Sequence, residues 1–159
     1  MEKSTYEEIL TAIKEKYGSL DEPNWSFVCK ALNNNPYSTI VELLETEFEF
    51  KDVTEPNSDV SYCYLMEGPT SLIQVELSMV YPCGVALGGP ESDTCILTRE
   101  NTSELERKIL DIIVSGGVEM LDQKLLETHV PLKLDYTEPE NVCVYQALFS
   151  DIDILSWKG

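Results

Sequence analysis

The sequence predicts an α+β fold, and three observations carry that prediction. Helical periodicity runs from Ser4 to Glu45, period-two alternation takes over near Thr46, and a well-capped helix returns after Asn101. The strand-like segments follow one another through short connections, which suits an antiparallel β-meander rather than parallel strands that need long crossovers. The 159 residues fit a single domain. A chain of that size buries roughly 70% of its unfolded surface, so it needs neither a metal nor disulfides to fold.

The first of the N-terminal helices starts at the capping-box spacing of Ser4 and Glu7. Tyr6, Ile9, Leu10, Ile13 and Tyr17 recur on one face, and Gly18 stops it. A second helix is expected over 22–33, with Asp21 as cap and Pro23 in the first turn. Pro36 turns Asn35 away from helical angles, and Ser38 then caps a third helix with Ile40, Val41, Leu43 and Leu44 inward.

From Thr46 to Val53 the alternation predicts a strand with Phe48 and Phe50 on one face and Glu47, Glu49 and Lys51 on the other. Val60, Tyr62, Tyr64 and Met66 share a face of the next strand, and Ile73, Val75, Leu77 and Met79 a face of the one after. Gly68 and Pro69 mark a hairpin turn between them, and "GVALGGPESDTCILT" reads as strand, turn, strand. Thr102 or Asn101 can cap the next helix, which carries Leu105, Ile109, Ile112 and Ile113 and ends at Gly116 and Gly117. A shorter helix is expected at 118–127. "VPLKLDY" and "NVCVYQALFSDI" read as late strands joining the sheet.

Charge narrows the functional classes. The formal charge of −18 comes from 29 acids against 11 bases. Such a field repels nucleic-acid phosphates and anionic membranes, and it attracts a cationic partner. A hydrophobic content of 43% is too high for a disordered acidic chain. "MEKSTYEEIL" lacks a basic region followed by an apolar one, and no apolar run is long enough to span a membrane. A soluble cytoplasmic protein is expected. The five cysteines are odd in number and lack CxxC spacing, which suits reduced residues. Four lie in apolar surroundings, and Cys83 in "YPCGV" reads as the more exposed one.

The search for catalytic chemistry is negative. His129 is the single histidine, which removes any site needing two imidazoles, and it reads as a helix-terminal residue. Cys83 has no neighbouring base, and "GGPESD", with Glu91 and Asp93, lacks the lysine of a phosphate loop. Asp151 and Asp153 would share a strand face, where two carboxylates could hold a divalent ion, but no third ligand stands at a defined spacing. A solvated strand face is the simpler reading. No cofactor, no metal and no enzymatic activity are expected.

The distribution of charge is more specific. Residues 31–98 hold eleven acids and one base, Lys51, while residues 134–157 hold five acids and no base. If both regions join one sheet, one side of the molecule is nearly cation-free. The acids Glu47, Glu49, Asp52, Glu55 and Asp59, and later Glu138, Glu140, Asp151 and Asp153, are the candidate contacts for a basic partner. Tyr136 and Trp157 supply anchors beside them, and Tyr37, Tyr62, Tyr64 and Tyr145 also lie near the acids. Exposed tyrosines would equally suit a homodimer surface.

In its size and its acidic charge the chain resembles the immunity proteins of bacterial toxin systems, those directed at nuclease toxins in particular. The resemblance implies a cytosolic antidote that binds a cognate toxin domain and blocks its active site or an adjacent surface. A nuclease must bind phosphates, so its surface is often basic. The alternatives are a small enzyme using carboxylates or a divalent metal, and an acidic adaptor or nucleic-acid mimic.

Overall fold

The computed structural model describes residues 3–67, 72–89 and 94–158. It has the expected α+β architecture, with three helices, a sheet and a second helical region in that order. Helix α1 spans Tyr6–Tyr17, α2 Ser26–Asn33 and α3 Ser38–Glu47. Strands β1 (Phe50–Asp52), β2 (Ser61–Glu67), β3 (Leu72–Ser78), β4 (Cys83–Gly88) and β5 (Cys95–Ile96) form the antiparallel meander β1-β2-β3-β4-β5. The turn expected at Gly68 and Pro69, and Glu91 and Asp93 of "GGPESD", lie outside the described residues.

Two of the helix N-caps sit later in the chain than expected. Thr5 and Glu8, rather than Ser4 and Glu7, close the start of α1. Both pairs have the required spacing, and Ser4 is taken by tertiary bonds: its hydroxyl donates to Glu119 Oε1 at 2.6 Å and its amide to Oε2 at 3.0 Å. Ser103 and Glu106 likewise cap α4 (Glu104–Ser115), while Asn101 accepts from the Thr98 amide. Helix α2 starts only at Ser26, whose amide donates to Asn24 Oδ1, and neither α2 nor α3 has a side-chain N-cap.

The expected strand over 46–53 is mostly helix end and loop. Helix α3 continues through Glu47, with the Phe48 amide still donating to the Leu44 carbonyl, so Glu47 is helical and β1 begins at Phe50. The alternation there reports which side chains turn inward, since Phe48 and Phe50 are half-buried and Glu49 is exposed, but it does not require a ladder.

The late strands are also corrected. In "VPLKLDY", Val130, Leu132 and Leu134 are buried in alternation with exposed residues. Their backbone bonds go singly, Val130 to Val142 and Lys133 to Leu20, so no strand forms. In "NVCVYQALFSDI" the segment Val144–Leu148 is helix α6. All five of its residues are buried, so the sequence shows no helical stripe, and a short buried run reads like a core strand. The Gln146 side chain accepts from the Cys143 amide at 2.9 Å and caps it. The helix expected over 118–127 is only Gln123–Leu126 (α5), capped by Asp122. Ahead of it, Glu119–Met120 forms β6, which pairs parallel with β4 beyond the end of β5.

Both faces of the sheet are covered. On one, Tyr62 donates to the Ala31 carbonyl, Tyr64 accepts from Asn35, and Tyr37 meets Tyr62 edge-on at 5.7 Å. The α2–α3 region therefore packs there. On the other, Ser61 donates to the Phe149 carbonyl and Ser78 to the Leu148 carbonyl, both at 2.8 Å. Helix α6 and the chain after it lie across that face, and α1 reaches the same region through Tyr17, whose hydroxyl donates to the Ala147 carbonyl at 2.7 Å. No helix is long and apolar enough to cross a membrane among the described residues.

Candidate functional site: an acidic surface around a cleft

The two acid-rich stretches, 31–98 with its one base and 134–157 with none, meet in space, although not as paired strands of the sheet. Asp59 and Ser150 form an antiparallel bridge, the Val60 amide donates to the Phe149 carbonyl, and the Asp151 amide donates to the Ser58 carbonyl. These bonds stitch the chain before β2 to the chain after α6.

The candidate contact residues divide by environment. Glu49, Asp52, Glu55, Glu138 and Glu140 are exposed, and Tyr136 is 63% exposed. Glu47, at the end of α3, is bridged by Lys108 at 3.2 Å. With both side chains about half exposed, such a pair contributes no more than about 1 kcal/mol. Asp52 accepts from the Thr54 amide, and Glu55 Oε1 accepts from Asn57.

Asp59, Asp151 and Trp157 face inward. Asp59 Oδ1 accepts from Ser150 at 2.7 Å and Oδ2 from the Glu55 amide at 2.8 Å. Asp151 takes the amides of Asp135 and Tyr136 and, at 2.6 Å, the Thr137 hydroxyl. Asp153 takes the Glu138 amide and the Asn141 side chain, and those bonds hold its carboxyl below the usual range. The pair expected on a solvated strand face therefore clamps the loop that carries Tyr136, Glu138 and Glu140. Trp157 is half-buried, edge-on to Tyr145 at 5.1 Å, and donates to Glu127 at 2.9 Å. Burial pushes the Glu127 carboxyl up, but the bonds from Lys158, Trp157 and Gln123 outweigh it and leave it lowered.

Beside this seam, on the face covered by α6, is a cleft of about 710 Å³. Leu65, Leu72, Leu87 and Ile152 contribute apolar walls, and Asp59, Cys63, Gln74, Glu76, Tyr145 and Ser150 contribute the polar lining. The register explains the grouping: Cys63 is paired with Glu76, Leu65 with Gln74, and Gln74 with Leu87, so they share one face of three neighbouring strands.

Glu76 is fully buried. Tyr145 donates to its Oε1 and Gln74 to its Oε2, each at 2.8 Å. Burial raises this carboxyl to about 7 against those two bonds, and the Asp59 charge adds to the shift. Glu76 can therefore exchange a proton near neutrality. Burial also pushes the Cys63 thiol upward, with Glu76 and Asp59 adding to it, and the thiol donates to Asp59 Oδ2 at 3.4 Å. It is not a thiolate nucleophile.

Cys83, expected to be exposed, is fully buried and its thiol is raised by burial first. Conversely, Cys29 and Cys95 are exposed rather than set in the core. His129 is exposed in a bridge with Cys143, and its carbonyl accepts from Tyr6 at 2.9 Å. Among the described residues no three His, Cys, Asp or Glu side chains converge to hold a metal.

Sequence reasoning passed over Glu76, Gln74 and Cys63. In "SLIQVELSMV" the polar residues alternate with apolar ones, as on any solvated strand face. The one available signal was the facing strand, where Ser61, Cys63 and Leu65 offer no charge to water. Comparison with protein-family models, with curated proteins and with solved structures finds no match for this chain.

Proposed function

We propose that the protein is a non-enzymatic inhibitor that binds a basic partner through its acidic surface, the partner being a bacterial toxin domain such as a nuclease. The observation that supports this reading is the seam at Asp59 and Ser150. It joins a stretch of eleven acids and one base to a stretch of five acids and no base. Exposed Glu49, Asp52, Glu55, Glu138 and Glu140 belong to those two stretches, and Asp151 and Asp153 hold the second group in a fixed loop. A rigid anionic surface steers a cationic protein and loses little entropy when it docks.

The test is capture of a partner from the native host at low and moderate salt, followed by co-expression of the two proteins. The expected result is a basic 1:1 partner that is toxic alone and harmless with this protein. A captured partner whose toxicity is unchanged by co-expression would refute inhibition.

A further inference from the structure

The cleft over Glu76 presents an electrostatic imbalance. Among the described residues its lining includes two carboxylates, Asp59 and Glu76, and no lysine, arginine or histidine. Both carboxylates are buried, and neither takes part in an ion pair among the described residues. Buried carboxylates are ordinarily paired with a cation or neutralised by a proton. Among the described residues no cation reaches them: Arg99 is committed to Asp111 at 2.7 Å, Arg107 bonds the carbonyls of Arg99 and Thr102, and Lys51, opposite Leu65 on β1, is exposed and bridges neither carboxylate.

We propose that this cleft is a socket for one guanidinium side chain presented by the basic partner. The inference rests on the reading of the protein as a binder of such a partner, and it assigns the anchoring contact. The volume of about 710 Å³ lies in the range of ligand sites, ample for one side chain. Leu65, Leu72, Leu87 and Ile152 would line the aliphatic stem while the charged head reaches the floor. The planar guanidinium matches a carboxylate bidentately and sheds water more readily than an ammonium, which favours arginine over lysine. The entry step is local. Gln74 is half-buried and holds Glu76 Oε2 by a single bond from an uncharged donor, so its amide can swing aside for a charged one. Tyr145 keeps Oε1 in place. The groups facing Glu76 are Asp59 and Cys63 from the β2 side and Tyr145 from α6, while β4 offers Val85 and Leu87. No other titratable side chain is among the described lining residues.

The probe is ethylguanidinium chloride, titrated by amide NMR at about pH 8, where Glu76 is mainly ionised, with ethylurea as its neutral isostere. The expected result is saturable shifts at Cys63, Gln74, Leu87 and Tyr145, about tenfold weaker or more with ethylurea. They should vanish in Glu76→Gln, which keeps an acceptor for Tyr145, and in Leu72→Trp, which obstructs an exposed wall without touching the floor. Equal shifts with ethylurea, or shifts that survive both variants, overturn the socket. The two readings fail separately. If a captured basic partner binds both variants as tightly as the parent, the socket is refuted and the binder stands. If the probe saturates the cleft yet the captured partner's toxicity is untouched, inhibition is refuted and the cation site stands.

Discussion

Tyr145 of α6 donates its hydroxyl to Glu76 of β3 at 2.8 Å, across 69 positions of sequence. This bond ties the chain's last helix to the middle of the sheet and sets the floor of the cleft. It favours the charged form of Glu76, which burial opposes.

That opposition has a pH signature. Glu76 is held at about 7 in the fold against an ordinary 4.5. The folded state therefore binds the proton more tightly than the unfolded chain. Stability from this group is full below pH 4.5 and lost as pH rises through 7, a swing of about 3 kcal/mol. Cys63 and Tyr145 are both raised and stay protonated across this window. Glu76→Gln should gain stability on the parent between about pH 5 and about pH 8 in urea unfolding. A difference that stays constant with pH would contradict the assignment.

Tyr145→Phe keeps the ring that stacks on Phe149 and meets Trp157, but it strips Glu76 Oε1 of its donor. The expected cost is about 1–3 kcal/mol. The carboxyl midpoint, followed by carbon NMR, should move further upward because a bond to the charged form is gone. An unmoved midpoint would show that the hydroxyl does not set the acidity of Glu76.

Asp151→Ala removes the acceptor for two amides and the Thr137 hydroxyl together. The loss should be about 3 kcal/mol, with faster hydrogen exchange at Asp135 and Tyr136. Asp153→Ala, at a fully exposed carboxylate, should quicken exchange at Glu138 and leave the unfolding midpoint in place. Equal effects of the two would mean that burial is not what separates them.

Reversing exposed charges should act on binding and spare the fold. Glu49→Lys with Glu138→Lys is expected to change stability by no more than about 0.5 kcal/mol each. Association with a captured basic partner should slow, most at low salt, while dissociation changes less. Association kinetics that ignore both substitutions at every salt concentration would place the interface elsewhere.

The parts legible in the sequence are those written in local terms. The α1 stripe of Ile9, Ile13 and Tyr17 and the inward face of Val60, Tyr62, Tyr64 and Met66 are buried as their spacing required. The five strands of the meander appeared in order for the same reason, with β1 shorter and later than its alternation suggested. Helix α6 was hidden because Val144–Leu148 is buried on every side, which erases the contrast that periodicity needs. The cleft was hidden by the same fact. Glu76 reads as a solvated strand residue until a helix 69 positions away covers it. The acidic loop was visible as charge, but the inward turn of Asp151 depends on three donors from 135–137 that no local pattern announces.

The edges of the sheet carry a further consequence. One is β1, only three residues long with Lys51 and Asp52 exposed. At the other side β4 is shared end to end by β5 and β6, two residues each. Among the described residues the sheet thus presents no long flat backbone template on which another chain could add a strand. Among those residues, lengthening by main-chain pairing and the sequence-blind hydrogen bonds of strand addition have little backbone to work on. If the proposed basic partner binds here, its recognition falls to side chains, which can tell one surface from another.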